Sequence, residues 1–213
     1  MKKLALLLCM TLTLSACASK LESLTKSDKP APSTYALHAA PAATVGTQYR
    51  GVLIVARPTI PSGYTSERIV LQMDGGRQMD YYAGAKWPDT LDEVLSDVLI
   101  QSARGTFPGM TVDSPSVSVP GNYRLAVTFN DFQPVYAGAP DGIPTLRVSA
   151  TFTLISLPTE SILSDFTLTS ERAAQANTMT AVTTGLEQSL HEVLAGAFKR
   201  LTPVLTKQPE AEQ

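Results

Sequence analysis

Hydrophobic and polar residues alternate along much of this chain. Tyr123, Leu125, Val127 and Phe129 interleave with Arg124, Ala126, Thr128 and Asn130, and Leu146, Val148, Ala150, Phe152 and Leu154 repeat the pattern. Ile162, Phe166 and Leu168 mark a third strand of this kind. A period of two is the signature of half-buried antiparallel strands. Val52 to Ala56 is instead a continuous apolar run, as in a strand covered on both faces. Tyr35 to His38 reads as a short strand. Arg68–Met73 and Gln78–Tyr82 flank Gly75-Gly76, and matching their faces predicts a three-residue loop that pairs Met73 with Met79 and Leu71 with Tyr81.

Two segments change to the helical period. In the first, Leu91, Val94, Leu95, Val98 and Ser102 share a face, and Thr90 and Glu93 have capping-box spacing. In the second, from about Thr178 to Leu201, the inner face is Val182, Leu186, Leu190, Val193, Ala197 and Leu201. The expected fold is α+β: an antiparallel or mixed β-sheet with two amphipathic helices packed mainly on one face.

The N-terminus has a different pattern. Met1-Lys2-Lys3 precedes an apolar stretch from Leu4 to Leu14, which has the length of a signal-peptide core and falls short of the roughly 20 residues that span a bilayer. Leu14-Ser15-Ala16-Cys17 follows and resembles the lipobox of bacterial lipoproteins. That resemblance implies cleavage before Cys17 and lipidation there by diacylglycerol and a further acyl chain such as palmitate. By the same resemblance, Ala18 and Ser19 in place of an Asp imply the periplasmic leaflet of the outer membrane. The expected divisions are 1–16 signal peptide, 17–34 lipidated Cys and tether, 35–202 folded domain and 203–213 tail. Cys9 would leave with the signal, so the mature domain has no thiol and no cysteine metal site. Loss of Lys2 and Lys3 takes the formal charge from −2 to −4, which argues against a nucleic-acid partner.

Candidate chemistry is sparse. The chain's 2 histidines are His38, beside a soft connector, and His191, on the expected solvent side of the last helix. There is no G-x-S-x-G, H-E-x-x-H, dinucleotide fingerprint or P-loop. Asp89, Asp92, Glu93 and Asp97 cluster where a helix dipole and a solvated face favour acids; Asp131 and Asp141 fall at turn positions. No catalytic residue, metal ligand or cofactor is assigned. Tyr81, Tyr82 and Trp87 form the densest aromatic group, open to two readings, core packing or contact with a ligand or partner. Residues 133–145 read as a long Gly/Pro hairpin loop with Val135 and Tyr136 near its start, either a connection or a docking tip.

Residues 67–99 carry a family resemblance. Tyr35-Ala36-Leu37, a strand from Val52 ending at Pro61, Arg68-Ile69-Val70, Tyr81-Tyr82-Ala83, Ala85-Lys86-Trp87 and the leucine-spaced Leu91–Leu99 are similar to the ABC-type transport auxiliary lipoproteins, the group of PqiC-like and cholesterol-transport auxiliary components. The resemblance follows element order over most of 35–200 and is motif-specific to about residue 105. The chain departs from the Leu-Asp-Arg-Pro of many members, keeping only Arg68. What the resemblance implies is a non-catalytic auxiliary component of an ABC/MCE-type intermembrane lipid transport system. Its implied partners are an MCE-domain protein, the membrane through the lipid anchor, phospholipid or sterol-like cargo, and further copies in a homo-oligomer. Two other readings stay open: a pilotin-like or cell-wall-linked scaffold without lipid cargo, and a lone lipid binder with a cavity lined by Tyr81, Tyr82 and Trp87.

Overall fold

Alternation over residues 123–173 becomes, in the computed structural model, three long consecutive strands of one sheet. The structure describes residues 30–42, 49–115 and 120–206, and everything below concerns the unit Ser33–Gln213. Its strands are β1 (Ser33–Thr34), β2 (Val52–Val55), β3 (Arg68–Met73), β4 (Gln78–Lys86), β5 (Thr111–Asp113), β6 (Tyr123–Val135), β7 (Thr145–Ser156) and β8 (Ser161–Ala173). Its helices are α1 (Leu91–Thr106) and α2 (Met179–Leu205).

β6 organises the sheet. One side pairs antiparallel with β7, which pairs antiparallel with β8. The other side is shared: β2 joins in parallel at Tyr123–Leu125, and β3 in parallel at Val135. Residues 56–59 fill the gap between them, with Ala56 N–H on the Leu125 carbonyl and Thr59 N–H on that of Val127. β5 continues from β2, β4 from β3, and β1 from β4. The sheet is therefore mixed, with 8 strands among the described residues, and β2, flanked on both sides, is buried as its apolar run predicts.

α2 lies across β7 and β8, and α1 beside β2 and β5. The inward residues Leu125, Val127, Phe129, Leu146, Val148, Phe152 and Leu154 are buried with the inner stripes of both helices. The outward face of β6–β8 is a hydrogen-bonded polar lattice. Asn130 donates to Thr151 (3.1 Å), Thr153 to Asp165 (2.7 Å) and Thr169 to Ser149 (3.0 Å), and the Thr151 and Thr167 hydroxyls meet at 2.8 Å.

Several expectations need correction. The β3–β4 register is Met73 with Gln78, Gln72 with Met79 and Val70 with Tyr81. The tip is set from outside: Asp74, Gly75 and Gly76 take φ of 50°, 62° and 97°, and Gly75 N–H bonds the Tyr136 carbonyl. Met79 is 45% exposed, so no buried methionine pair enforces the expected register. Tyr35–His38 is not a strand; pairing is confined to Ser33–Thr34 against Ala85–Lys86. Thr90 makes no capping hydrogen bond: Glu93 N–H bonds the Thr90 carbonyl, and the reciprocal bond is absent too, since the Glu93 carboxylate reaches Arg57 and Thr90 N–H is taken by Asp89. Thr178 does cap α2, accepting from Ala181 N–H at 3.3 Å. Gln133–Val135 belongs to β6 rather than a loop, and Tyr136 is buried. α2 runs through Pro203 to Leu205: buried Leu205 holds the last turn in place, and Thr206 N–H closes it on the Thr202 carbonyl.

Candidate functional site

The aromatic trio occupies three environments. Trp87 follows β4 and is buried, edge-on to Phe132 with centroids 6.1 Å apart. Tyr81 and Tyr82, being consecutive in a strand, point to opposite faces. Tyr81 is half-buried under Arg68, whose guanidinium sits 5.0 Å from the ring centroid. The Tyr82 hydroxyl meets that of Tyr136 at 2.7 Å, Tyr136 donates to Asn177 Oδ1 at 2.7 Å, and Asn177 Nδ2 donates to the Pro140 carbonyl at 3.0 Å. Burial, then the Tyr136 hydrogen bond, pushes the Tyr82 phenol well above the usual tyrosine range. This relay ties β4, the 136–144 loop and the start of α2 together. It is a structural junction; a shared three-ring pocket is not formed.

The two histidines, far apart in sequence, meet. His38 Nδ1 and His38 N–H each lie 2.9 Å from Glu187 Oε2, and His191 Nε2 lies 2.9 Å from the His38 carbonyl. Ala40 N–H donates to Ser102 Oγ at 2.8 Å. The segment from Tyr35 to Ala40 is thus a strap fastened to both helices. Sequence reasoning placed His191 on the solvent side of α2 and missed this contact, because nothing in the local pattern around either residue encodes a meeting 153 positions apart.

The acidic group at the start of α1 is neutralised from β2's exit. Arg57 Nε donates to Asp92 Oδ2 at 2.7 Å and its Nη1 contacts Glu93 at 2.6 Å. Partial burial pushes the Asp92 carboxyl up, but the adjacent Thr90 hydroxyl and the hydrogen-bonded Arg57 guanidinium outweigh it and hold it below the usual carboxylate range. Glu192 is held low by Ser170 and Arg172. Among the described residues, no group of three or more His, Cys, Asp or Glu is arranged to hold a metal ion.

A largely apolar cavity of about 270 Å³ lies between Thr106 at the end of α1, Ala40 and Pro41 of the strap, and Phe198, Lys199 and Thr202 of α2. Another, of about 340 Å³, is lined by Leu37, Pro88, Asp89, Glu93, Val94 and Asp97. Neither pairs a nucleophile with a base. Large apolar side chains stand exposed at Met79 and Ile143, and at Ile162 (66%) and Leu163 on β8. No helix of the described residues is long and apolar enough to cross a membrane. Cys17 lies outside the described residues.

Comparison with known proteins supplies what this geometry leaves open. No curated protein matches the chain significantly. Among solved structures, a Xanthomonas campestris protein of the DUF330 family superposes with a TM-score of 0.70 at 20% identity, over 85% of this chain and 100% of that one. An uncharacterized protein matches with a TM-score of 0.64 at 18% identity, over 81% and 99%. The PelC dodecamer from Paraburkholderia phytofirmans matches with a TM-score of 0.43 at 14% identity, over 80% and 95%. At these identities the first two show a shared fold and nothing beyond it. The family model described as "ABC-type transport auxiliary lipoprotein component" matches residues 35–196, the whole span from strap to the closing part of α2. The chain belongs to the ABC-type transport auxiliary lipoprotein family.

Proposed function

We propose that the chain is a non-catalytic component of an ABC/MCE-type intermembrane lipid transport system, held by lipid on Cys17 in the periplasmic leaflet of the outer membrane. There it docks the MCE-domain protein, or receives its phospholipid or sterol-like cargo, at the far end of the path. Residues 1–16 serve as signal, those from Cys17 up to β1 as anchor and tether, and the working domain runs from β1 through the end of α2 at Leu205. The observation that carries this reading is the family match over residues 35–196, joined to the lipobox Leu14–Cys17 upstream of it. Two acyl chains already make a stable anchor at about 0.8 kcal/mol per buried CH₂. Confinement to one surface raises the effective concentration of the domain for a partner that bridges two membranes.

The test is brief crosslinking of cells, mild-detergent extraction and mass spectrometry of co-purifying proteins and lipids. The reading expects an MCE-domain protein among them, and expects Cys17→Ser to shift the chain out of the membrane fraction. A secretion or cell-wall partner in its place, with no MCE protein under any crosslinker, would replace this reading with that of an envelope scaffold.

A further inference from the structure

The cavity between the strap and the two helices has a lining that suits an apolar guest. Its two threonines commit their hydroxyl hydrogens within their own helices: Thr106 donates to the Ser102 carbonyl at 2.8 Å and Thr202 to that of Phe198 at 2.9 Å. Such bonding to the carbonyl four residues back leaves Thr202 Oγ1 only an acceptor, and the Tyr49 hydroxyl occupies it at 3.2 Å. A water needs about 2–4 polar partners to settle in a cavity, whereas an apolar cavity stays dry and takes apolar molecules. The floor is rigid. Phe198 stands edge-on to Phe107 with centroids 5.3 Å apart, and Phe107 edge-on to Tyr49 at 5.1 Å. All three rings are buried, so none turns into the space without unpacking the others. One charge stands at the rim. Lys199 lines the cavity and is exposed, and it has no hydrogen bond or ion pair among the described residues. Among those residues no carboxylate lines the cavity. The 340 Å³ cavity is the reverse, with Asp89, Glu93 and Asp97 in its wall.

We propose that this cavity binds a single-chain anionic lipid, a fatty acid, with its tail over the Phe198 floor and its carboxylate on Lys199. Size sets the tail. An engineered cavity of about 150 Å³ holds one benzene. At about 270 Å³ this one takes roughly 10–12 carbons, which is part of one acyl chain. The four fused rings of a sterol exceed it, and the second tail of a phospholipid has no place in it. Position sets the head. Phe198 and Lys199 are neighbours on one turn of α2, so a carboxylate joined directly to its tail meets both. A phosphate set off from its tails by glycerol stands further away. Each methylene taken out of water raises affinity about fourfold, and an exposed ion pair contributes about fivefold at most. The tail therefore supplies most of the affinity, and Lys199 selects the head. This inference rests on the lining and charge of the cavity and is independent of the transport reading.

The test uses the full chain held in phosphatidylcholine nanodiscs, photolabelled with diazirine-bearing palmitate and digested for mass spectrometry. Label is expected on the peptides that carry residues 40–41 and 195–202, saturating with dose and displaced by palmitate but not by its methyl ester. Lys199→Glu should cut this labelling about fivefold, and Lys199→Arg should keep it. Ala195 lines the cavity from an exposed helix position, so Ala195→Phe lays a ring across the space and should abolish saturable labelling. The two Lys199 variants, also altered at an exposed position, cover the case of a misfolded Ala195→Phe. The proposal is overturned if label spreads along α2 without saturating, or if the methyl ester or cholesterol displaces the probe as well as palmitate does. Equal labelling of the same peptides by a diazirine phosphatidylglycerol would overturn it, as would labelling that survives both Lys199→Glu and Ala195→Phe.

Discussion

Gly185 lies inside α2 where Leu146 of β7 packs against the helix. A Cβ built at Gly185 would come within 2.2 Å of Leu146 Cδ1, against the 3.5–4.0 Å at which carbon atoms rest. Two effects of Gly185→Ala oppose each other. Replacing a helical glycine gains about 1 kcal/mol of helix propensity. Forcing a methyl group into a filled core costs about 1–3 kcal/mol. Leu146 is 0% exposed, so its side chain has no solvent to swing into, and overpacking should win by about 1 kcal/mol. Urea denaturation would show a lower midpoint with an unchanged slope, and a fall in Tm of about 2–4 °C. Leu146→Val removes the obstructing reach, so the double variant should be more stable than the sum of the singles by about 1 kcal/mol. A Gly185→Ala chain more stable than wild type, or an additive cycle, would refute the packing argument.

Tyr136→Phe removes the central hydroxyl of the relay and strands Tyr82 and Asn177, so it should cost about 1–3 kcal/mol by chemical denaturation. Tyr82→Phe leaves the Tyr136–Asn177 bond intact and should cost less; equal losses would mean the relay is not connected as described. Asp92 and Glu192 have folded-state values below their unfolded ones, so their contribution is present above about pH 4 and lost as pH falls through the lowered values. Asp92→Asn with Glu192→Gln should therefore flatten the acid limb of stability measured between pH 7 and pH 3, and an unaltered limb would exclude these groups as its source.

The parts legible in the sequence are those governed by repetition. Alternation over 123–173 places β6, β7 and β8, and the spacing of Leu91, Val94, Leu95 and Val98 places α1, because each pattern is long enough for burial to decide it. Contacts closed from a distance stayed hidden. The β3–β4 tip obeys Tyr136, Glu93 answers to Arg57 instead of Thr90, and His38 meets Glu187, each across a separation no local window contains. β1 and β5 are too short to carry a period. The Tyr81, Tyr82 and Trp87 group shows the converse: proximity in sequence was not proximity of side-chain environment, since a strand sends neighbours to opposite faces and the third ring lies just beyond its end.

The strap has a mechanical consequence. Tension arriving from upstream of Ser33 would first load the two-residue pairing of β1 with β4, which is parallel to it and closed by Tyr35 N–H on the Lys86 carbonyl. Once that pairing yields, the load passes to His38 and Ala40, whose anchors are Glu187 and His191 on α2 and Ser102 on α1. Force then enters through the helical layer, and the long ladders of β6, β7 and β8 lie outside its path. Such a load would peel back a few residues of the strap while the sheet that carries the domain's shape stays whole.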